Sequence, residues 1–265
     1  MTDENTIYRN LHAWLLEHIA TIPCTDERMR RHLDLKRTHS LRVAEDIVRI
    51  GRRLGLDDHA LLIARTIGLL HDVGRFEQYK VYHTYNDRIS TDHGALGARI
   101  VAANGLLAPF SAEEAAIITQ AICLHNKIAL PDQESEAVVF FLKLIRDADK
   151  LDIYRVILEN LADAGQALFE AVIPTAADVS EEIYAVLMRG GNVDYQLAAN
   201  GTDRLMMHVG WVFDINFVPT LQLIAERGYL ETIAAALPAT PRVAGVLAKA
   251  RAHLAKHTPT ITTAC

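Results

Sequence analysis

Apolar residues recur at steps of three and four along nearly the whole chain, the spacing that places them on one face of an α-helix. Five successive stretches interrupt that face with a histidine or an aspartate. Over 38–54 the face reads His39, Val43, Ile47, Ile50 and Leu54, and the next stretch reads Ala60, Ala64, Ile67 and His71. Residues 92–104 give His93, Gly97 and Ile100, residues 111–126 give Ile118, Ile122 and His125, and residues 135–158 give Val138, Leu142, Ile145 and Asp149. No run of alternating β-branched residues is long enough to read as a strand. Pro23, Gly55, Gly105, Pro109, Pro131, Pro174, Gly190, Gly191, Pro238 and Pro241 fall between helical stretches as punctuation. The pattern predicts an all-α fold.

A core-facing imidazole or carboxylate is costly unless something compensates it. The apolar segment Leu61 to Leu70 nevertheless runs straight into His71 and Asp72. A lone histidine on such a face is more often a hydrogen-bonded core residue than a ligand. Among twelve histidines one or two coincidences are expected, but five positions in series plus the His71–Asp72 doublet point to a shared metal. Imidazoles and carboxylates without a thiolate suit Fe, Mn, Co, Ni or Zn. The six donors His39, His71, Asp72, His93, His125 and Asp149 exceed what one tetrahedral ion needs. They fit two divalent ions about 3.5–4 Å apart, with Asp72 bridging and positions left open for water and substrate. One or two ions are therefore expected.

The order His39, His71–Asp72, Asp149 resembles the HD-domain superfamily of metal-dependent phosphohydrolases, over about residues 35–155. Asp149 lies in Arg146-Asp147-Ala148-Asp149-Lys150-Leu151, similar to the family's Ala-Asp-Arg/Lys-Leu signature; Asp147 competes for the role but falls off the apolar face. His93 in Asp92-His93-Gly94-Ala95 and His125 in Leu124-His125-Asn126-Lys127 match the subset with dinuclear centres. His83 rivals His93, but sits in Gln78 to Asn86, a polar and aromatic stretch without helical phase that reads as a loop over the site. His93 instead opens a helix with Ser90, Thr91 or Asp92 as N-cap.

The resemblance implies a helical bundle with a C-terminal helical extension. It also implies hydrolysis of a phosphate ester, a nucleotide or a small phosphorylated metabolite, by metal-activated hydroxide. Asp72 would hold the ions, while Arg75 and Lys127, each within a turn of a ligand, would hold phosphate oxygens. Lys80 and Lys150 are further cations near the ligands, and Glu77 is a candidate acid or base. The Gly-Tyr-Pro signature of the cyclic dinucleotide branch is absent. Two other classes stay open on the same ligands: a diiron oxygenase of the HD fold and a non-catalytic nucleotide-binding sensor.

At 265 residues the chain is expected to form one structural unit, a metal-binding core with its N-terminal helix (1–165) and a helical extension packed on it (166–265). The extension is expected to contain helices over Leu205 to Ala225 and Val243 to Leu254, with Trp211, Phe213 and Phe217 in its core. Asp214 and Asn216 either cap neighbouring helices or reach the pocket wall. A net charge of −6 argues against a nucleic-acid-binding face. The cluster Arg28, Arg30, Arg31, Lys36, Arg37 and Arg42 reads as a solvated helix face, or alternatively as a positive rim that draws in an anionic substrate. Cys24, Cys123 and Cys265 imply no disulfide framework. No apolar run approaches 18 residues and no signal-like segment opens the chain, so a soluble cytoplasmic protein without a membrane partner is expected. The oligomeric state is left open by the sequence.

Overall fold

The computed structural model describes residues 3–163, 168 and 173–258, and among them there is no strand. The chain divides into two compact units, Met1–Asp152 and Ile153–Cys265. The sequence boundary at 165/166 lies outside the described residues.

The first unit holds α1 (Glu4–Ala20), α2 (Glu27–Arg53), α3 (Asp58–Leu70), α4 (Val73–Tyr82), α5 (His93–Ala103), α6 (Ala112–Leu124) and most of α7 (Glu136–Ala162). The apolar stripes read from the sequence are its core: Val43, Ile47, Ile50, Ala64, Ile67, Ile118, Ile122, Leu142 and Ile145 are fully buried. Helices α2 and α3 approach closely because Gly68 has no side chain; a Cβ there would stand 2.9 Å from Ala44 Cα. Helix α2 begins at Glu27, twelve residues before His39 opens the stripe that reveals it. Asp26 caps it by accepting from Met29 N at 2.8 Å, and Arg30 pairs with Glu27 and Asp34 one turn away on either side. Such surface pairs each add only a few tenths of a kcal/mol, so they carry the helix outward without a strong apolar signal. On α6 the Ser111–Glu114 capping box forms in full.

Gln78 to Tyr82 is not loop: α4 runs to Tyr82, and His83 ends it in the left-handed region with φ 52°. The helical stripe is Val73, Phe76 and Tyr79, all buried, but polar neighbours obscure it. Gln78 is also buried and its amide donates to Asp87 Oδ1, Ser90 Oγ and Thr91 O, so a polar letter hides a core position. The crossing loop shortens to residues 83–92.

The second unit holds α8 (Glu181–Met188), α9 (Gly201–Gly210), α10 (Val218–Glu226), α11 (Tyr229–Ala236) and α12 (Pro241–His257). The single helix expected over Leu205 to Ala225 is broken. Helix α9 stops at Gly210, a 3-10 turn covers Trp211–Asp214, and α10 restarts at Val218 with Pro219 in its first turn. Asp214 and Asn216 belong to that break. Trp211 packs against Tyr154 and His208, and Phe213 against His253. No helix among the described residues is long and apolar enough to cross a membrane.

Candidate metal centre

Five helices deliver the six donors to one point. His39 comes from the middle of α2, His71 and Asp72 from the turn between α3 and α4, His93 from the first residue of α5, His125 from the C-cap of α6, and Asp149 from α7. The four imidazoles and Asp72 are buried, and Asp149 keeps 23% of its side chain exposed. Three overlapping triads, His39–His71–Asp72, His71–His125–Asp149 and Asp72–His93–His125, each bring their ligand atoms within 4.8 Å of one another. Asp72 divides its oxygens between the two halves. Oδ2 lies 3.6 Å from His39 Nε2 and 3.8 Å from His71 Nε2, whereas Oδ1 lies 3.4 Å from His93 Nε2 and 3.7 Å from His125 Nε2. Asp149 Oδ1 closes the first half, 3.1 Å from His39 Nε2 and 3.8 Å from His71 Nε2.

The hydrogen bonds behind the rings fix which nitrogen faces inward. His71 Nδ1 donates to Gly68 O and His125 Nδ1 to Ile122 O, both at 2.8 Å. A carbonyl can only accept, so these Nδ1 atoms carry the proton. His39 Nδ1 donates to Asp152 Oδ2 at 2.8 Å and His93 Nδ1 to Asp87 Oδ2 at 2.6 Å. In the neutral form all four Nε2 atoms therefore present lone pairs, yet they meet in pairs: His39 with His71 at 3.3 Å and His93 with His125 at 3.0 Å. Lone pairs that close repel unless a cation or a proton lies between them. The donor set fits divalent metals, two imidazoles and a shared carboxylate on each side.

The charges agree with that fit. Burial lowers His71 to about 3 and His93 to about 4, which keeps both in the neutral, ligating form. His39 differs: burial and Lys36 push it down, but hydrogen bonds to Asp149 and Asp152 outweigh them and raise it to about 9. Positive charge is thus favoured at its Nε2 even when only a proton supplies it. Burial works against ionisation of Asp72, but Lys36, His71, His125 and Arg75 hold its carboxyl well below the usual range.

Of the two flanking cations read from the sequence, Arg75 reaches the centre and Lys127 does not. Arg75 Nε lies 3.5 Å from Asp72 Oδ1, and its Nη1 donates to Gln78 Oε1, Tyr85 O and Asp87 Oδ1. Lys127 pairs with Asp92, the N-cap of α5, at the surface. Glu77 pairs with Lys80. His83 is exposed and outside the cluster, and Asp147 is buried outside it. Asp152 and Asp87 carry no signal in the sequence reading, and Lys36 enters it only as one member of the basic cluster on α2. Lys36 Nζ stands 2.7 Å from Asp72 Oδ2 with only 16% of its side chain exposed; its spacing of three before His39 was the available signal. Asp152, fully buried and three after Asp149, orients His39. Asp87 orients His93 and also accepts from Arg75, Gln78 and Asn126; nothing in its local sequence marks it.

Residues 37–154 match the family described as HD domain. No curated protein and no solved structure matches the chain.

Proposed function

From the HD domain that residues 37–154 form, a fold of the metal-dependent hydrolase superfamily, we propose that this protein is a metal-dependent phosphohydrolase acting on a nucleotide or another small phosphorylated metabolite. The observation that carries the reading is the split carboxylate of Asp72, one oxygen toward His39 and His71 and the other toward His93 and His125. That arrangement suits two divalent ions, which His39, His71, Asp149 and Asp72 would hold on one side and Asp72, His93 and His125 on the other. When bound, such ions supply Lewis acidity, which makes water a nucleophile near neutral pH and neutralises charge on a phosphoryl group.

The chain's own residues do the rest. Asp152 and Asp87 hold the His39 and His93 rings by their Nδ1 protons, so the Nε2 lone pairs stay aimed inward. Lys36 and Arg75 flank Asp72 from opposite oxygens and stand as positive charges for a phosphate that approaches it. Asp149, which keeps 23% of its side chain exposed while the other donors are buried, lies on the side from which substrate and water would reach the centre. Lys127, tied to Asp92, serves to clamp the start of α5 to the end of α6.

The test is metal content per chain on protein purified without added metal or chelator, followed by a panel of phosphate esters on the same sample. About two equivalents of transition metal and turnover of at least one ester are expected. A fully loaded protein inert toward the whole panel would overturn the reading. Metal-loaded protein that consumes oxygen in the presence of an organic substrate would reassign it to the oxygenase class.

A further inference from the structure

One face of α2 carries Arg28, His32, Lys36 and His39, at steps of four, four and three, in a row that ends at the donors. Lys36 is its inner cation. An ammonium has three N–H donors; one goes to Asp72 Oδ2, and the group also lies 5.3 Å from the centre of the Tyr85 ring. Arg28 is the outer cation, eight residues earlier and so about 12 Å along the helix axis. Its neighbours are paired, Arg30 with Glu27 and Asp34, and Arg37 with Asp34. Arg28 is exposed and has no ion pair among the described residues. Asp26, two residues before it, accepts from the backbone N–H of Met29.

Between the two cations the wall is aromatic. The His32 ring packs at 4.6 Å from Tyr79 and 5.5 Å from Tyr85, and the two tyrosines pack at 4.8 Å. Burial, then the charges of Arg28, Arg31 and Lys36, hold His32 down to about 4. His32 is therefore neutral near pH 7, and the charge on either side of it resides on Arg28 and Lys36. Tyr85 is fastened by its hydroxyl, which donates to His32 O, and by its carbonyl, which accepts from Arg75.

We propose that this face of α2 is a two-point anion track, in which Lys36 holds the phosphate beside Asp72 and Arg28 holds a second, separate anionic group of the same substrate. The inference rests on the phosphohydrolase reading and narrows its substrate to molecules with two separated negative groups. A half-buried ammonium acts on a phosphate through a lower effective dielectric than bulk water, and the exposed guanidinium adds a bidentate fork for a second anion.

The test is calorimetric binding of two non-hydrolysable probes to metal-loaded protein: an alkyl phosphonate and the α,ω-diphosphonate of the same chain length. Wild type is expected to bind the diphosphonate at least tenfold more tightly. Lys36→Met should weaken both probes tenfold or more, with Lys36→Arg restoring most of the loss. Arg28→Ala should weaken only the diphosphonate and leave metal content unchanged. Equal binding of the diphosphonate by wild type and Arg28→Ala would overturn the track. So would a Lys36→Met protein whose metal affinity changes while phosphonate affinity does not, because Lys36 would then only balance Asp72. Wild type that binds neither probe would count against the hydrolase reading as well, a result distinct from both.

Discussion

His93 and His125 face each other with their Nε2 atoms 3.0 Å apart, while each Nδ1 proton points outward, to Asp87 and to the Ile122 carbonyl. The pair meets Asp72 Oδ1 at 3.4 and 3.7 Å, so the second half of the centre has one shared carboxylate where the first has Asp72 and Asp149. Removing one imidazole should therefore empty this half alone. His125→Ala is expected to lower metal content to about one equivalent per chain, whereas Asp72→Ala, which removes the residue common to both halves, should leave essentially none. Elemental analysis of the purified variants reads the difference. Full metal content in Asp72→Ala would remove the proposed site.

The rings also need their outer partners. Asp152 is fully buried and accepts the Nδ1 proton of His39. Asp152→Asn keeps the shape but removes the negative charge that makes His39 a strong donor. Metal affinity is expected to fall about 10- to 100-fold with the fold intact. Competition with a chelator of known affinity measures it, and an unchanged dissociation constant would assign Asp152 to packing alone.

The parts of this architecture legible in the sequence are those that repeat with helical phase. His39, His71, His125 and Asp149 each end or interrupt an apolar stripe, and the structure places all of them in the cluster. Gln78 shows where phase reading fails: a buried amide satisfied by Asp87, Ser90 and Thr91 looks polar in sequence although it faces inward. Lys36 was legible as charge but not as position, because a lysine on α2 reads as solvated until Asp72 arrives from another helix. Asp87 lies in a loop, where no periodicity exists to give its direction. Long-range pairing is what the sequence withholds.

Gly74 sets how closely α5 can approach. A Cβ there would collide with the carbonyl oxygen of His93 and stand 2.8 Å from Gly97 N. Both obstacles are backbone, so neither yields by a rotamer change. Gly74→Ala should cost about 1–3 kcal/mol of stability and push the start of α5 away from Asp72, loosening the ion held by His93 and His125. Denaturant unfolding and metal titration together check it; normal metal binding with normal stability would show that the helices can separate without consequence.

The second unit carries its own pH dependence. His208 is buried against Trp211, and its Nδ1 donates to Arg204 O at 2.6 Å. Burial lowers it from 6.5 to about 4, against a smaller opposing effect of the Arg204 carbonyl. With the folded value depressed, the unfolded chain binds more protons between pH 6.5 and 4. His208 therefore stabilises the fold fully above about pH 6.5, and that contribution is lost as pH falls through this window. A shift of this size corresponds to on the order of 3 kcal/mol. His208→Leu, which cannot titrate, should flatten the fall in unfolding free energy between pH 7 and pH 4 by that share. Paired carboxylates lose their contribution below this window, so the two effects separate on the pH axis. Denaturant titrations at pH 7, 5.5 and 4.5 on both proteins give the slopes, and identical slopes would mean that His208 is charged or solvated in the folded state.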